Sequence, residues 1–197
     1  MMQRAPANIR PALPADADGI ARVHVGSWQT TYQGIVAEET LAGLSVERRV
    51  QNWLQQIDSP QAGTFVHVAE KDGEIIGFAS GGPEHSGDRL YKGEIYALYL
   101  LQDFQRQGIG RMLVEASVIS LLSAGFSSML IWVLRDNPSR KFYEAIGGTY
   151  LREQDIDING QKLIEVAYAW DNLHSLVKKT CLSFLKLKPS RACCVPN

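Results

Sequence analysis

The sequence predicts an α/β (α+β) fold: a mixed central sheet of about seven strands with helices on both faces. Three observations lead there. Segments whose apolar residues recur every second position alternate with segments repeating every three or four, in the order β-α-α-β-β-β-α-β-α-β-β. Two dipeptides that favour tight hairpin turns, Asp72-Gly73 and Asn159-Gly160, each separate a pair of strand-like runs. Between Glu94 and Met112 an apolar strand pattern passes through a glycine turn directly into a helix pattern.

Asn8 to Leu13 is a short first strand, and Pro14 with Asp16 suits a helix start. Ile20, Val23, His24, Ser27, Trp28 and Thr31 then recur at helical spacing to about Tyr32, and Gly34 ends the helix. Ser45 can cap a second helix, Val46 to Gln56, carrying Val50, Trp53 and Leu54. Thr64 to Glu70 alternates in strand fashion, and Glu74 to Ser80 returns as its hairpin partner. A polar loop, Gly81 to Asp88, contains His85. Counting by twos along the strand Glu94 to Leu100 puts Glu94, Tyr96, Leu98 and Leu100 on one face. The next helix runs from about Gly108 to Ala124, with Met112, Leu113, Ala116, Ile119 and Leu122 as its apolar face. Ser128 to Leu134 is a buried strand, Pro138 to Ile146 a helix with proline in its first turn, and Thr149 to Ile158 with Lys162 to Trp170 a final hairpin.

A chain of 197 residues suits one domain whose core needs no staples. Net charge is −1, and no basic stripe with interleaved aromatics is present, so nothing points to nucleic acid. No apolar run approaches the ~20 residues that span a bilayer. Met1 to Ala15 is interrupted by Arg4, Pro6, Arg10, Pro11 and Pro14, which breaks any signal-peptide core. Cys181, Cys193 and Cys194 all lie late, so residues 1–180 offer no disulfide, thiolate nucleophile or cysteine metal ligand. A cytoplasmic protein without a metal is expected.

The chemistry gathers at Gln105-Arg106-Gln107-Gly108-Ile109-Gly110-Arg111. A helix start leaves backbone N–H groups unpaired and partially positive. Gly108 and Gly110 let an anion approach them, and Arg106 and Arg111 add full charges, so the turn reads as a phosphate or pyrophosphate cradle. It is not a Walker A loop, which needs Gly-Lys-Ser/Thr, nor a dinucleotide fingerprint, because Leu113 stands where the third glycine belongs. It matches the Gln/Arg-x-x-Gly-x-Gly/Ala signature of the GNAT superfamily of N-acetyltransferases through Gln105, Gly108 and Gly110. A second block similar to the family's follows, I-W-V-L-R-D-N-P-S-R-K-F-Y-E-A-I-G-G from Ile131 to Gly148, and the resemblance spans roughly residues 8–171.

This resemblance implies acetyl-CoA as cosubstrate and a primary amine, on a small molecule or a protein, as acceptor, attacked directly in a ternary complex. The turn Gln105 to Arg111 would hold the pyrophosphate, and the backbones of Leu98 and Leu100 the pantetheine and acetyl oxygen. Asn137 would contact the pantetheine arm and Tyr143 would be the general acid at sulfur; their spacing is one residue shorter than in many relatives. Glu94 sits where histone-type enzymes of the family have their base, ordered water being the other option. Without the resemblance, Tyr143 reads as a packing residue and Glu94 as a solvated strand-end carboxylate. His24 and His85 are further candidate bases; Trp28, Tyr32, Glu84, Asp155 and Asp157 border the expected acceptor pocket by position. A non-catalytic CoA-binding regulatory module is the alternative function.

The domain is expected to end at residue 171, and residues 172–197 to form an amphipathic helix and tail. Leu173, Leu176, Val177, Cys181, Phe184 and Leu185 share one side of that helix, suited to packing on the domain or joining two copies as a homodimer. A membrane-surface role for its lysines Lys178, Lys179, Lys186 and Lys188 is the other reading. The terminus formally fits a prenylation box, with Pro196 and Asn197 unsuited to it.

Overall fold

The computed structural model describes residues 6–177. Seven strands form one sheet in the order β1-β2-β3-β4-β5-β7-β6. They are β1 (Asn8–Pro11), β2 (Phe65–Lys71), β3 (Glu74–Pro83), β4 (Gly93–Leu100), β5 (Met129–Leu134), β6 (Thr149–Ile158) and β7 (Gln161–Trp170). All neighbours are antiparallel except β4 and β5. The helices are α1 (Ala17–Thr31), α2 (Glu38–Ala42), α3 (Val46–Asp58), α4 (Ile109–Ser123) and α5 (Arg140–Ala145). This is the mixed, helix-flanked sheet expected from the pattern.

Local chemistry explains the agreement. Asp72 and Gly73 both take positive φ, 51° and 83°, as do Asn159 and Gly160, at 52° and 86°, which is what a two-residue hairpin turn demands. Ser45 caps α3, its hydroxyl accepting the Arg48 backbone N–H at 3.2 Å. On one face, α1 and α3 bury Ile20, Val23 and Trp53 against Val68 and Phe78. On the other, Val114, Val118 and Leu121 of α4 pack with Met129, Ile131, Val166, Tyr168, Tyr143 of α5 and Ile146 just past its end. No helix among the described residues is long and apolar enough to cross a membrane.

Four features depart from the expectation. Helix α2 was not anticipated; it is five residues long and buries only Leu41, too little for a periodic signal. The buried stripe of α4 is Ile109, Leu113, Val114, Ser117, Val118 and Leu121, while Met112 is exposed. With apolar residues almost all round that helix, spacing alone does not single out one face. Third, β4 carries a bulge: Ser80 pairs with Ala97 and Gly81 with Ile95, leaving Tyr96 as the extra residue. Ile95 and Leu98 therefore both pack toward α4, and Glu94 lies on the face opposite Leu98 and Leu100. Gly81 makes this possible, since a Cβ there would collide with the Glu94 carbonyl oxygen and the Phe65 ring.

The fourth concerns the tail. Leu173–Leu176 form a 3-10 turn, capped by the Asn172 side chain, and Leu173 and Val177 are buried in the core beside α4. The packed unit thus continues past residue 171. The expected helix residues beyond Val177, their lysine face, the dimer contact and the terminal box lie outside the described residues. Leu173 is fully buried, so Leu173→Ala should cost roughly 2–5 kcal/mol in urea unfolding. A loss below ~1 kcal/mol would remove this turn from the core.

Candidate functional site

Strands β4 and β5 pair only at Gly93–Met129 and Glu94–Leu130, then diverge. Between them opens a cleft of about 880 Å³, walled by β4, β5, the starts of α4 and α5, and the end of α1. The Leu101 N–H donates to Ile76 of β3 at 3.0 Å, and antiparallel bonding alternates along a strand. Tyr99 therefore bonds β3, while the peptide groups of Leu98 and Leu100 turn toward the gap. The Leu100 carbonyl accepts from Gln105 Nε2 at 3.1 Å, which ties the glycine turn to the strand.

At one end of the cleft stands the N-terminus of α4. Its cap residue, Gly108, has φ 85° and no side chain to offer, and the first turn holds no acidic residue. Met112 N–H is bonded to the Gly108 carbonyl; those of Ile109, Gly110 and Arg111 find no acceptor among the described residues. A Cβ on Gly108 would project into open space. Arg106, itself at φ 61°, and Arg111 line the cleft with Lys141, a third cation that the sequence reading did not single out. Bare helix donors beside three cations make an anion site. Two residues of the expected cradle contribute otherwise: the Ile109 side chain is core, and Gln107 Nε2 donates to the Asp103 carbonyl off the cleft wall.

Deeper in, the wall is tyrosyl. Tyr143 is 6% exposed, and its hydroxyl has no hydrogen-bond partner among the described residues. Burial, followed by the neighbouring Tyr32, pushes its pKa well above the usual phenolic range, so it stays protonated. Trp28 Nε1 donates to Tyr99 Oη at 2.9 Å, the Tyr99 and Tyr32 hydroxyls are 3.5 Å apart, and Asn137 Nδ2 donates to Tyr32 Oη at 3.4 Å. Tyr32, Tyr99, Asn137 and Tyr143 all border the cleft, whereas Trp28 stands behind Tyr99 and does not. His24 is corrected as a candidate base: it is packed among Trp28, Trp53, Phe78 and Tyr99, and burial pulls its pKa down to about 3.

Glu94 lies beyond the closed end, where β4 and β5 still pair, and does not itself line the cleft. Its carboxylate accepts from the exposed His85 at 2.8 Å, and burial pushes its pKa up to about 7, against the opposing pull of His85. Tyr96 links this pair to the cleft, since it lines the wall and meets the His85 ring edge-on at 5.0 Å. Glu84 is spent inside its own loop, accepting from Ser86 and Asp88. Asp157 closes the β6–β7 turn through the Gly160 N–H, and neither it nor Asp155 borders the cleft. The sequence reading also missed Trp132, which lines the cleft with the Arg152 guanidinium 5.2 Å from its ring centre. Arg152 is in turn held by Asp88 at 2.6 Å. Trp132 alternates out of the α4 side of β5, a signal that its all-apolar neighbours conceal.

A carboxyl whose folded pKa lies above its unfolded 4.5 contributes stability that is full below pH 4.5 and is lost as pH rises through about 7. Glu94→Gln should therefore melt higher than wild type at pH 8, with the gain shrinking by pH 5. Melting curves at the two pH values test this, and an unchanged difference would reject the burial penalty.

Residues 28–148 match the Acetyltransferase (GNAT) family. The chain is 41% identical over 175 residues to the Uncharacterized N-acetyltransferase YuaI of Bacillus subtilis, covering 89% of this chain and 98% of that protein. It is 33% identical over 138 residues to an Uncharacterized N-acetyltransferase of Archaeoglobus fulgidus, covering 68% of this chain and 88% of the other. PaiA N-acetyltransferase from Thermoplasma acidophilum, solved in complex with coenzyme A, has the same fold, with TM-score 0.66, 23% identity, and 84% and 100% of the two chains covered. Similar figures hold for yncA from Salmonella typhimurium, solved with acetyl-CoA: TM-score 0.65, 22% identity, and coverage of 86% and 95%. The open strand pair and the bare helix end thus belong to an acyltransferase, and this chain is a member of the GNAT acetyltransferase family.

Proposed function

We propose that this protein transfers the acetyl group of acetyl-CoA to a primary amine, on a small molecule or a protein, by direct attack in a ternary complex. The observation that carries this reading is the shape of the cleft: the Leu98 and Leu100 peptide groups that face the gap lead from a buried tyrosyl wall to an uncapped helix end flanked by Arg106 and Arg111. An amide-bearing arm that ends in a pyrophosphate matches those groups in order. The N–H groups of Ile109, Gly110 and Arg111 would take the pyrophosphate, with Arg106, Arg111 and Lys141 supplying charge. Leu98 and Leu100 would bond the pantetheine amides, and Asn137 would form the wall beside them.

An alkyl amine has a pKa near ~10.4, so at neutral pH about one molecule in a thousand or fewer is free to attack. Glu94, with a carboxyl near 7, is suited to collecting the surplus proton, directly or through water. Tyr143 would donate to the sulfur as the C–S bond breaks. Since a thiol near ~8.5 is a stronger acid than a phenol near ~10, this donation stabilises the thiolate chiefly as a hydrogen bond. Relatives named as N-acetyltransferases support nitrogen as the acceptor atom.

Calorimetric titration of acetyl-CoA tests the cradle. Wild type should bind, and Gly108→Glu, which brings a carboxylate to the anion site, should bind at least about tenfold more weakly while remaining folded. No binding to wild type would sink the acetyl-transfer reading. Tyr143→Phe should lower kcat by roughly ten- to a thousandfold with acetyl-CoA affinity kept; an unchanged kcat with a reactive amine would take the acid role from Tyr143.

A further inference from the structure

The hydrogens along the inner wall can be counted. Trp28 Nε1 can only donate, and it donates to Tyr99 Oη at 2.9 Å. Asn137 is oriented by the Ser139 backbone N–H, which donates to its Oδ1 at 2.8 Å, so Nδ2 is the atom facing Tyr32 Oη at 3.4 Å. Obligate donors thus stand at both ends of the chain Trp28–Tyr99–Tyr32–Asn137. The two hydroxyls between them each receive one hydrogen and carry one of their own, yet only a single 3.5 Å link joins them. One tyrosyl hydrogen is left without an acceptor among the described residues.

Tyr32 is the more buried of the two, and the half-buried Tyr99 has its ring stacked on His24 at 5.2 Å and against Phe78 at 5.7 Å. When Tyr99 donates to Tyr32, it is satisfied, and the surplus hydrogen is that of Tyr32 at the cleft wall. A buried O–H left unpaired costs about 1–3 kcal/mol, so this site suits a bound acceptor atom. Tyr32 receives hydrogens from both Tyr99 and Asn137, which polarises its own O–H and makes it a stronger donor. Its ring is held by Val36, Leu41 and Leu134 in a separate small core.

We propose that Tyr32 is a second hydroxyl donor to the acetyl thioester, giving its hydrogen bond to the carbonyl oxygen while Tyr143 serves the sulfur. This rests on the acetyl-transfer reading above. A donor aimed at the amine lone pair would block attack, whereas the carbonyl oxygen gains charge as attack proceeds. The amine nitrogen bonds to the carbonyl carbon and the C=O π pair moves to oxygen, where the Tyr32 O–H holds it without giving up its proton. When the C=O re-forms, the C–S bond breaks, the electron pair leaves on sulfur, and the nitrogen's surplus proton passes to Glu94 or water. Trp28, Tyr99 and Asn137 are positioning residues for that hydroxyl.

The test is difference infrared spectroscopy of carbonyl-13C-labelled acetyl-CoA bound to wild type, Tyr32→Phe and Tyr143→Phe. The thioester carbonyl stretch should fall below its free value in wild type, return most of the way in Tyr32→Phe, and remain lowered in Tyr143→Phe. With a reactive amine, Tyr32→Phe should lose about ten- to a hundredfold in kcat, with acetyl-CoA affinity within about twofold. A lowered stretch that persists in Tyr32→Phe overturns the assignment, whatever happens to kcat. If Tyr32→Phe fails to fold, Tyr99→Phe keeps the Tyr32 hydroxyl but removes one of its donors; it should show an intermediate shift, and an unaltered one overturns the assignment. Loss of the shift in Tyr32→Phe without wild-type turnover of any amine would retain Tyr32 and reject the amine reading. Absence of acetyl-CoA binding to wild type would reject both.

Discussion

The site depends on a parallel strand pair that stops early. β5 has a complete antiparallel partner in β7, and β4 has one in β3, so each strand is held along its outer edge without the other. The two meet for two residue pairs and then part. The Tyr96 bulge helps, because an extra residue bends a strand and increases its local twist. The gap leaves peptide groups of β4 unpaired inside the molecule, an arrangement that a folded chain tolerates where a ligand completes the ladder. Helix α4 begins at the open end of that gap, and α5 and Tyr32 wall its interior.

Several local choices around this gap oppose stability and agree with function. Arg106 takes a left-handed backbone conformation, α4 lacks a capping side chain, a carboxyl is buried at Glu94, and tyrosyl hydrogens lack acceptors. Each is a feature that stability alone would remove, and all but Glu94, which lies beyond the closed end, border one cleft. Elsewhere Ser45 caps α3, the hairpins have the turn residues they require, and His24 is buried in its neutral form.

The carboxylates near the closed end already have hydrogen-bond donors before any acceptor arrives. Glu84 is held by Ser86 and Asp88, Asp88 by Arg152, and Glu94 by His85. What remains on the cleft wall is aromatic and hydroxylic: Tyr32, Tyr96, Tyr99, Trp132, Ser27 and Thr31. Such a wall favours a neutral amine over its ammonium form, because a cation entering a low-dielectric site without a free counter-charge pays desolvation.

Much of the fold was legible in short-range chemistry. Positive-φ pairs at Asp72-Gly73 and Asn159-Gly160, the Ser45 cap and the glycine turn at Gly108 each act over a few residues, so a sequence displays them directly. The family blocks at Gln105–Gly110 and Ile131–Gly148 displayed the site's position in the same way. Tertiary structure decided what depends on contacts between distant segments. The face on which Glu94 lies follows from a bulge that Gly81 permits across the strand pair, and a period of two cannot register an inserted residue. The buried side of α4 follows from which sheet it meets, and the anchoring of Leu173 and Val177 from the core they complete. The chain of Trp28, Tyr99, Tyr32 and Asn137 joins residues more than 60 positions apart. Its spare hydrogen exists only once the fold has brought the four side chains together and fixed the direction of the two outer bonds.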